Sequence, residues 1–409
     1  MNPQGEPGRS SFSSSTVAIG FAGTAIFIFL LVFGLNRDLY ITILENREGL
    51  AEGSEWIEPT SSIHGLAQYI SEYPDRTSVL QLPVNGNGPT IAWSPYERRP
   101  MGMTSKIVLL LYWADAFTTG AVDPEERVEW EEIRPYQIPH IGEHRFLEVE
   151  QFARSRGWLE SNGQIVMGDL LRLLARSNSY GLFDYLWFRA GRENLEITLE
   201  RTGMKETDLP LPFSGLYLAM AASFQGERSD TNLQRWTGDR SGFVEEVIQL
   251  ASGMRVEPRR SELSLKLNRD RLGLDFSEER DMLALFPATT PSSMAWMLRK
   301  LYLNELLGSE TDSLVLEWMS WPLEEEAINR NFDEYGAIYD SRIGLLGGID
   351  FGLAAGSREP VVQVVYFDQV HIAVWFHLSG SHMHQNFQQR LMHDPELATT
   401  FNRLTHRHE

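Results

Sequence analysis

Cysteine is absent from all 409 residues. That excludes disulfides, thiolate metal sites, a cysteine nucleophile and a lipidated cysteine anchor. It leaves the compartment open, because a chain exported to an oxidising space can simply avoid free thiols. Positive charge is also short, with 36 Lys and Arg against 56 Asp and Glu and a net charge of -20. A general nucleic-acid binder needs a cationic face, so that class is excluded. Neither G-x-S-x-G nor H-E-x-x-H occurs, and there is no internal repeat. Residues 344–348 (GLLGG) lack the Lys-Ser/Thr of a phosphate-binding loop and read as strand curvature. His382 and His384 are two apart, so on a helix they face away from each other, and His406 and His408 fall in a tail; no metal or other cofactor is expected.

Hydrophobic residues at 42% and charged residues at 22% describe a mostly water-soluble globular chain. Its one long uncharged apolar run is residues 16–35, TVAIGFAGTAIFIFLLVFGL. At about 1.5 Å per residue this spans the roughly 30 Å hydrocarbon layer, so a single-pass transmembrane helix is expected. A cleaved signal peptide fits less well: the run is too long, only Arg9 precedes it, and no A-x-A-like site follows. Arg9 on one side and Arg37 and Arg47 on the other leave the positive-inside rule nearly mute. Residues 1–15 read as a polar tail. Residues 36–62, with Glu45, Glu48, Glu52 and Glu55, read as a solvated juxtamembrane spacer, helical in part.

Organisation begins at Ile63. Helical spacing at 63–73 precedes two short strands, 78–82 and 90–94, around Asn85-Gly86-Asn87-Gly88, a strong hairpin signal. Residues 106–116 (KIVLLLYWADA) are too continuously apolar for a surface helix and predict a buried one. Helices are expected over 167–188, 192–202, 242–252, 292–307 and 311–319, with charge-rich 256–279 as a surface excursion. Strands are expected at 336–346, 361–367 and 371–378, then an amphipathic helix from 382 to about 392. This order predicts an α+β fold, with a five-stranded antiparallel sheet built from both chain ends, 63–105 and 335–392. A helical part, 106–334, is inserted between them, and 393–409 form a C-terminal tail.

The stretch Arg99-Pro-Met-Gly-Met-Thr-Ser-Lys106, feeding an apolar helix, resembles the serine β-lactamase and penicillin-binding D,D-peptidase superfamily, closest to its class A-like members. There a Ser-x-x-Lys motif opens the buried helix, because residues i and i+3 share a face and the amine can take the hydroxyl's proton. Lys106 matches, but the Ser position is Met103, and a thioether cannot form an acyl-enzyme. Thr104 and Ser105 carry hydroxyls that point elsewhere on the helix. The family's Ser-x-Asn loop falls on Ser177-Asn178-Ser179 or on Asn178-Ser179-Tyr180, and either register lacks the Asn. Its Lys-Thr-Gly strand is matched by Arg342-Ile343-Gly344, which keeps the cation and loses the hydroxyl. Residues 290–301 resemble the helix leading toward that strand. Glu206-Thr-Asp-Leu209 mimics the deacylation loop only in part, with Pro210 in place of its Asn, and lies too early.

The resemblance runs from about residue 63 to 392, and its defects fall on all three motifs. It implies a pseudoenzyme anchored in the inner (cytoplasmic) membrane, its soluble domain outside the cytoplasm, binding or scaffolding at the cell envelope. The ligand would be a carboxylate-bearing cell-wall fragment or a protein partner. Lys106, Arg342 and Gly344 would line an anion site, with backbone N–H groups of Met103 and Leu345 in the oxyanion-hole positions. The rival is an active hydrolase that pairs Lys106 with a hydroxyl from Thr104, Ser105, Ser177 or Ser179. A third class is a structural subunit of a membrane complex.

Overall fold

The computed structural model describes residues 46–86, 90–139, 141–221, 229–267, 272, 274–319, 337–344, 347–354, 361–381 and 383–405. The membrane segment expected at residues 16–35 lies outside them. Among the described residues no helix is long and apolar enough to cross a membrane.

The strands in chain order are β1 (Thr77–Pro83), β2 (Ile91–Trp93), β3 (Arg99–Pro100), β4 (Arg127–Glu129), β5 (Gln164–Val166), β6 (Ala288–Thr289), β7 (Ala337–Gly344), β8 (Gly347–Ala354) and β9 (Val361–Phe367). Five pair antiparallel in the order β2-β1-β9-β8-β7. The two ends of the chain therefore meet at the centre of this sheet, Val79 opposite Val365 and Gln81 opposite Gln363. β3–β6 and β4–β5 form two small separate ladders. The fold is α+β and rich in helix.

Alternate side chains of the central strands serve two different cores, as a period of two requires. Leu80, Leu82, Val362, Val364 and Tyr366 join the larger core beneath the helical part. Val79, Val365 and Phe367 join a smaller core with Leu66 and Ile70 of the helix Ile63–Glu72 and with Phe387, Leu397 and Phe401 of the C-terminal helices. Both faces are covered, so β9 is apolar almost throughout. Its one exception, Gln363, is fully buried and accepts from Gln81 Nε2 at 3.1 Å while its own amide donates to Gln388 O at 2.9 Å. That satisfies amides whose burial would otherwise be costly.

The helix Lys106–Thr118 runs through the larger core. Lys106, Ile107, Val108, Leu109, Leu110, Leu111, Trp113, Ala114 and Ala116 are all buried, which spans every side of the helix. Full burial of each large aliphatic side chain contributes about 1.5–3 kcal/mol. The helix ends at Thr119, whose N–H bonds Asp115 O, before Gly120 with φ 72°.

Several sequence expectations are corrected. Residues 371–378 are not a strand: Ile372–Ser381 is a helix, since a continuous apolar run has no periodicity to separate the two forms. The remaining strand of the sheet is β8, and Gly344 ends β7 where Gly347, its partner, begins β8, so GLLGG is shared between two strands rather than curving within one. The expected tail holds a helix, Pro395–Thr405, that buries Leu397 and Phe401. The charge-rich excursion buries Leu263, Leu267 and Leu272.

The spacer, from Asn46 onward, is docked rather than solvated. Asn46 Oδ1 accepts from Phe276 N at 2.6 Å, and Glu52 accepts from Arg280 Nη1 at 2.6 Å. Glu52 O also accepts from Ala373 N at 3.2 Å. The Trp56 indole donates to Tyr73 OH at 3.0 Å and sits edge-on to Tyr69, centroids 5.4 Å apart. Glu52 finds basic partners, Arg76 and Arg280, from distant segments, which charge alone along the chain could not disclose, while Glu48 and Glu55 stay exposed.

Candidate functional site

Gly102, at φ 51°, lets the chain turn sharply out of β3 into the 3-10 turn Gly102–Ser105, and Lys106 then opens the buried helix. Met101 N bonds Pro287 O at 2.8 Å, and β3 pairs with β6, so the turn is pinned on one side. β7 and β8 run alongside it on another. Met103 is buried, 6% exposed. Thr104 is also buried, and its Oγ1 donates back to Met101 O at 2.6 Å. Ser105 is buried as well.

Lys106 is 2% exposed. A cation at a helix N-terminus meets the positive end of the helix dipole, an unfavourable placement of about 0.3–1 kcal/mol. Here the neighbouring helix Met167–Arg176 corrects it. Lys106 Nζ donates to Ala175 O at 2.7 Å and to Ser177 O at 3.3 Å, carbonyls at that helix's negative end. Helix Met167–Arg176 stops because Ser177 turns extended, with φ -119° and ψ 164°.

The loop 177–179 therefore reaches Lys106, as the motif comparison requires. Ser177 Oγ and Asn178 Oδ1 are buried with no hydrogen-bond partner among the described residues. Ser179 is committed elsewhere: its Oγ accepts from Leu182 N at 3.3 Å and caps the helix Tyr180–Ala190. Tyr180 accepts a hydrogen bond from Tyr217 OH at 2.8 Å and stacks on Phe213, centroids 4.9 Å apart. Arg342 occupies the β7 position opposite Ile349, and Gly344 is the last residue of that strand. Leu345 lies outside the described residues. The structure thus gathers the turn with Met103, the loop with Ser177 and Asn178, and β7.

Glu206–Leu209 is a structural tie. Asp208 Oδ1 accepts from Arg98 at 2.5 Å and Oδ2 from Ala288 N at 2.9 Å, while Thr207 Oγ1 lies 2.6 Å from Thr289 Oγ1. Among the described residues no group of three or more His, Asp or Glu could hold a metal ion.

A family model described as "Beta-lactamase enzyme family" matches residues 64–390. The chain belongs to that family. No curated protein matches. Among solved structures, the β-lactamase of Sphaerobacter thermophilus is 12% identical, with TM-score 0.49 over 82% of this chain and 99% of its own. A variant of the class A β-lactamase of the last common ancestor of Gram-negative bacteria is 16% identical, with TM-score 0.47 over 80% and 99%. L2, complexed with relebactam, is 16% identical, with TM-score 0.49 over 84% and 99%.

One residue beside the β-lactamase-like site escaped the sequence reading. Asp184, fully buried on the helix after the loop, accepts from Phe213 N at 2.7 Å and Ser214 N at 2.9 Å. It caps the helix Phe213–Met220, whose own N-cap is Pro212 with no side chain to offer. Burial pushes its carboxyl up to about 7, against the opposing pull of Ser214 and the two amides. A buried acid in an apolar helix was the available signal.

A carboxyl whose pKa is raised on folding binds more protons in the native state than in the unfolded chain between about pH 4 and 7. Its contribution to stability is therefore complete below its unfolded pKa of 3.8 and is lost as pH rises through about 7. Denaturant titrations of the wild type should show unfolding free energy falling over that window relative to Asp184→Asn. Parallel curves for the two proteins would refute the assignment.

Proposed function

We propose that this protein is a membrane-tethered β-lactamase-like domain that has lost acyl transfer and acts by binding at the cell envelope. The observation that carries the proposal is the state of the nucleophile position. Met103 stands three residues before Lys106, and the ammonium of Lys106 is engaged by the carbonyls of Ala175 and Ser177. The neighbouring hydroxyl of Thr104 is bonded back into its own turn. Nucleophilic catalysis needs a deprotonatable group within reach of its base, and Met103 is not one. The buried, unpartnered Ser177 Oγ and Asn178 Oδ1 favour a groove that still takes a polar ligand. On this reading Arg342 supplies the cation for a ligand carboxylate, and the ligand is a cell-wall fragment ending in one.

A second reading has one specific observation in its favour. Ser177 Oγ has no hydrogen-bond partner among the described residues, and its backbone carbonyl lies beside Lys106 Nζ. Ser177 is then the hydroxyl of a rearranged hydrolase.

Intact-mass measurement after incubation with a reactive penicillin separates the two. The wild-type chain is expected to gain no adduct, since loss of the nucleophile in serine hydrolases costs on the order of 10⁶ in turnover. Met103→Ser should acylate slowly at best, because Tyr180 or Ser179 and Ile343 stand where the family places Asn and Thr. A stoichiometric adduct on Ser177 of the wild type would establish the second reading.

Titration with peptidoglycan stem peptides ending in a free carboxylate should give weak binding that Arg342→Ala abolishes. Binding indifferent to that change would remove Arg342 from the site and leave a protein as the partner.

The anchor at residues 16–35 places the soluble domain outside the cytoplasm on this reading, with residues 1–15 inside. Protease added to intact spheroplasts should digest the domain and spare the tail. A domain protected until lysis would reverse the topology.

A further inference from the structure

Lysine is scarce in this chain: only residues 106, 205, 266 and 300 are lysine. Two of the four, Lys205 and Lys300, line a single surface hollow of about 320 Å³. Lys205 follows Gly203, whose φ of 73° ends the helix Arg192–Thr202 and throws the chain outward. Lys300 lies one turn beyond Trp296 on the helix Pro291–Tyr302, so both side chains share a face. Neither lysine has an ion-pair partner among the described residues. Arginines, by contrast, are widely paired, Arg98 with Asp208, Arg201 with Asp115 and Arg280 with Glu52 among them. In a protein of net charge -20, two unpaired ammonium groups converging on one hollow make a local field opposite to that of the whole.

The remaining walls are aromatic and hydroxylic. Tyr96 is 76% exposed and Trp296 44% exposed, both unusually open for large rings. Trp296 is steadied by a fixed cation: the Arg299 guanidinium lies 4.9 Å from its ring centroid, and Arg299 is itself held by Val84 O at 2.8 Å and Gly86 O at 3.0 Å. Ser292 N bonds Pro95 O at 2.9 Å, which sets the Tyr96 loop against the start of the helix. Glu206 lines the hollow too, without an ion-pair partner among the described residues, and is free to accept from hydroxyl groups.

We propose that this hollow binds a saccharide bearing a carboxylate, its ring stacked on Trp296, its acid held by Lys205 and Lys300, and its hydroxyls met by Ser292 and Glu206. A rigid flat ring beside a few convergent polar groups is how small-ligand sites secure orientation. A purely cationic ligand would also suit an aromatic ring, but two lysines repel it. A bare anion would leave both exposed rings without a role. The site shares no residue with the groove around Met103, Lys106 and Arg342, so it goes beyond the binding function proposed above.

Calorimetric titration of the full chain in detergent with tetragalacturonate, and with neutral maltotetraose as its counterpart, tests the proposal. Tetragalacturonate should bind, and maltotetraose should bind about tenfold more weakly, the difference expected for a charge-assisted contact. Lys205→Gln with Lys300→Gln should reduce the acid to the level of the neutral sugar. Trp296→Ala should weaken both sugars, and Trp296→Phe should restore most of the loss. Excess stem peptide should leave tetragalacturonate binding intact, which separates this hollow from the groove at Arg342. The proposal is overturned by no binding of tetragalacturonate, by unchanged affinity in the double lysine variant, by displacement of tetragalacturonate by the stem peptide, or by inorganic phosphate binding as tightly as the sugar acid.

Discussion

A charged ammonium at the mouth of a helix that is buried on every side must find acceptors inside the protein. Lys106 is that group, and the constraint it imposes reaches across the fold. Its own helix offers the wrong end of a dipole, so the acceptors come from elsewhere. They come from the last turn of the helix Met167–Arg176, whose carbonyls have no partners within their own helix. That helix ends at Arg176, and the carbonyl of Ser177 just beyond it reaches Lys106 Nζ. Carbonyl acceptors of this kind lower the cost of burying an amine. The juxtaposition that resembles catalytic machinery also ties two helices of the fold together.

The same separation of structure from chemistry explains what was legible in the sequence. The helix at 192–202 was readable to the residue, because Gly191 and Gly203 bracket a run of good helix formers. The buried helix at 106–118 was readable from its unbroken apolar content, and the first hairpin from its Asn-Gly turn. The strand-like run at 371–378 was not, because an unbroken apolar run carries no period to tell helix from strand, and here even the exposed Phe376 is apolar. The docking of residues 46–61 was illegible for another reason. Its partners Tyr73, Phe276, Arg280 and Ala373 are scattered over some three hundred residues, and nothing local marks Glu52 as an ion-pair partner rather than a solvated acid.

At the candidate site, position was legible and state was not. Motif order located Lys106, the 177–180 loop and the strand of Arg342. It could not say that Ser179 is occupied as a helix cap or Thr104 as a turn bond, since both facts depend on backbone conformation. Those two bonds narrow the hydroxyls available to a rearranged nucleophile. Thr104 and Ser179 are engaged in holding local structure, whereas Ser177 is not.

On the proposed reading, methionine at the position of the family's nucleophile leaves the turn without a reactive group. A hydroxyl aimed into a cleft is a polar group that the cleft must hydrate or bind, whereas Met103 fills its place with apolar volume and is nearly buried. Had the whole site drifted toward stability, the neighbouring polar atoms would have been replaced or satisfied as well. Among the described residues Ser177 Oγ and Asn178 Oδ1 are buried without hydrogen-bond partners, and a buried polar atom left unsatisfied costs about 1–3 kcal/mol. On the proposed reading, such an acceptor beside a turn without a nucleophile suits a groove that binds a polar ligand and releases it unchanged.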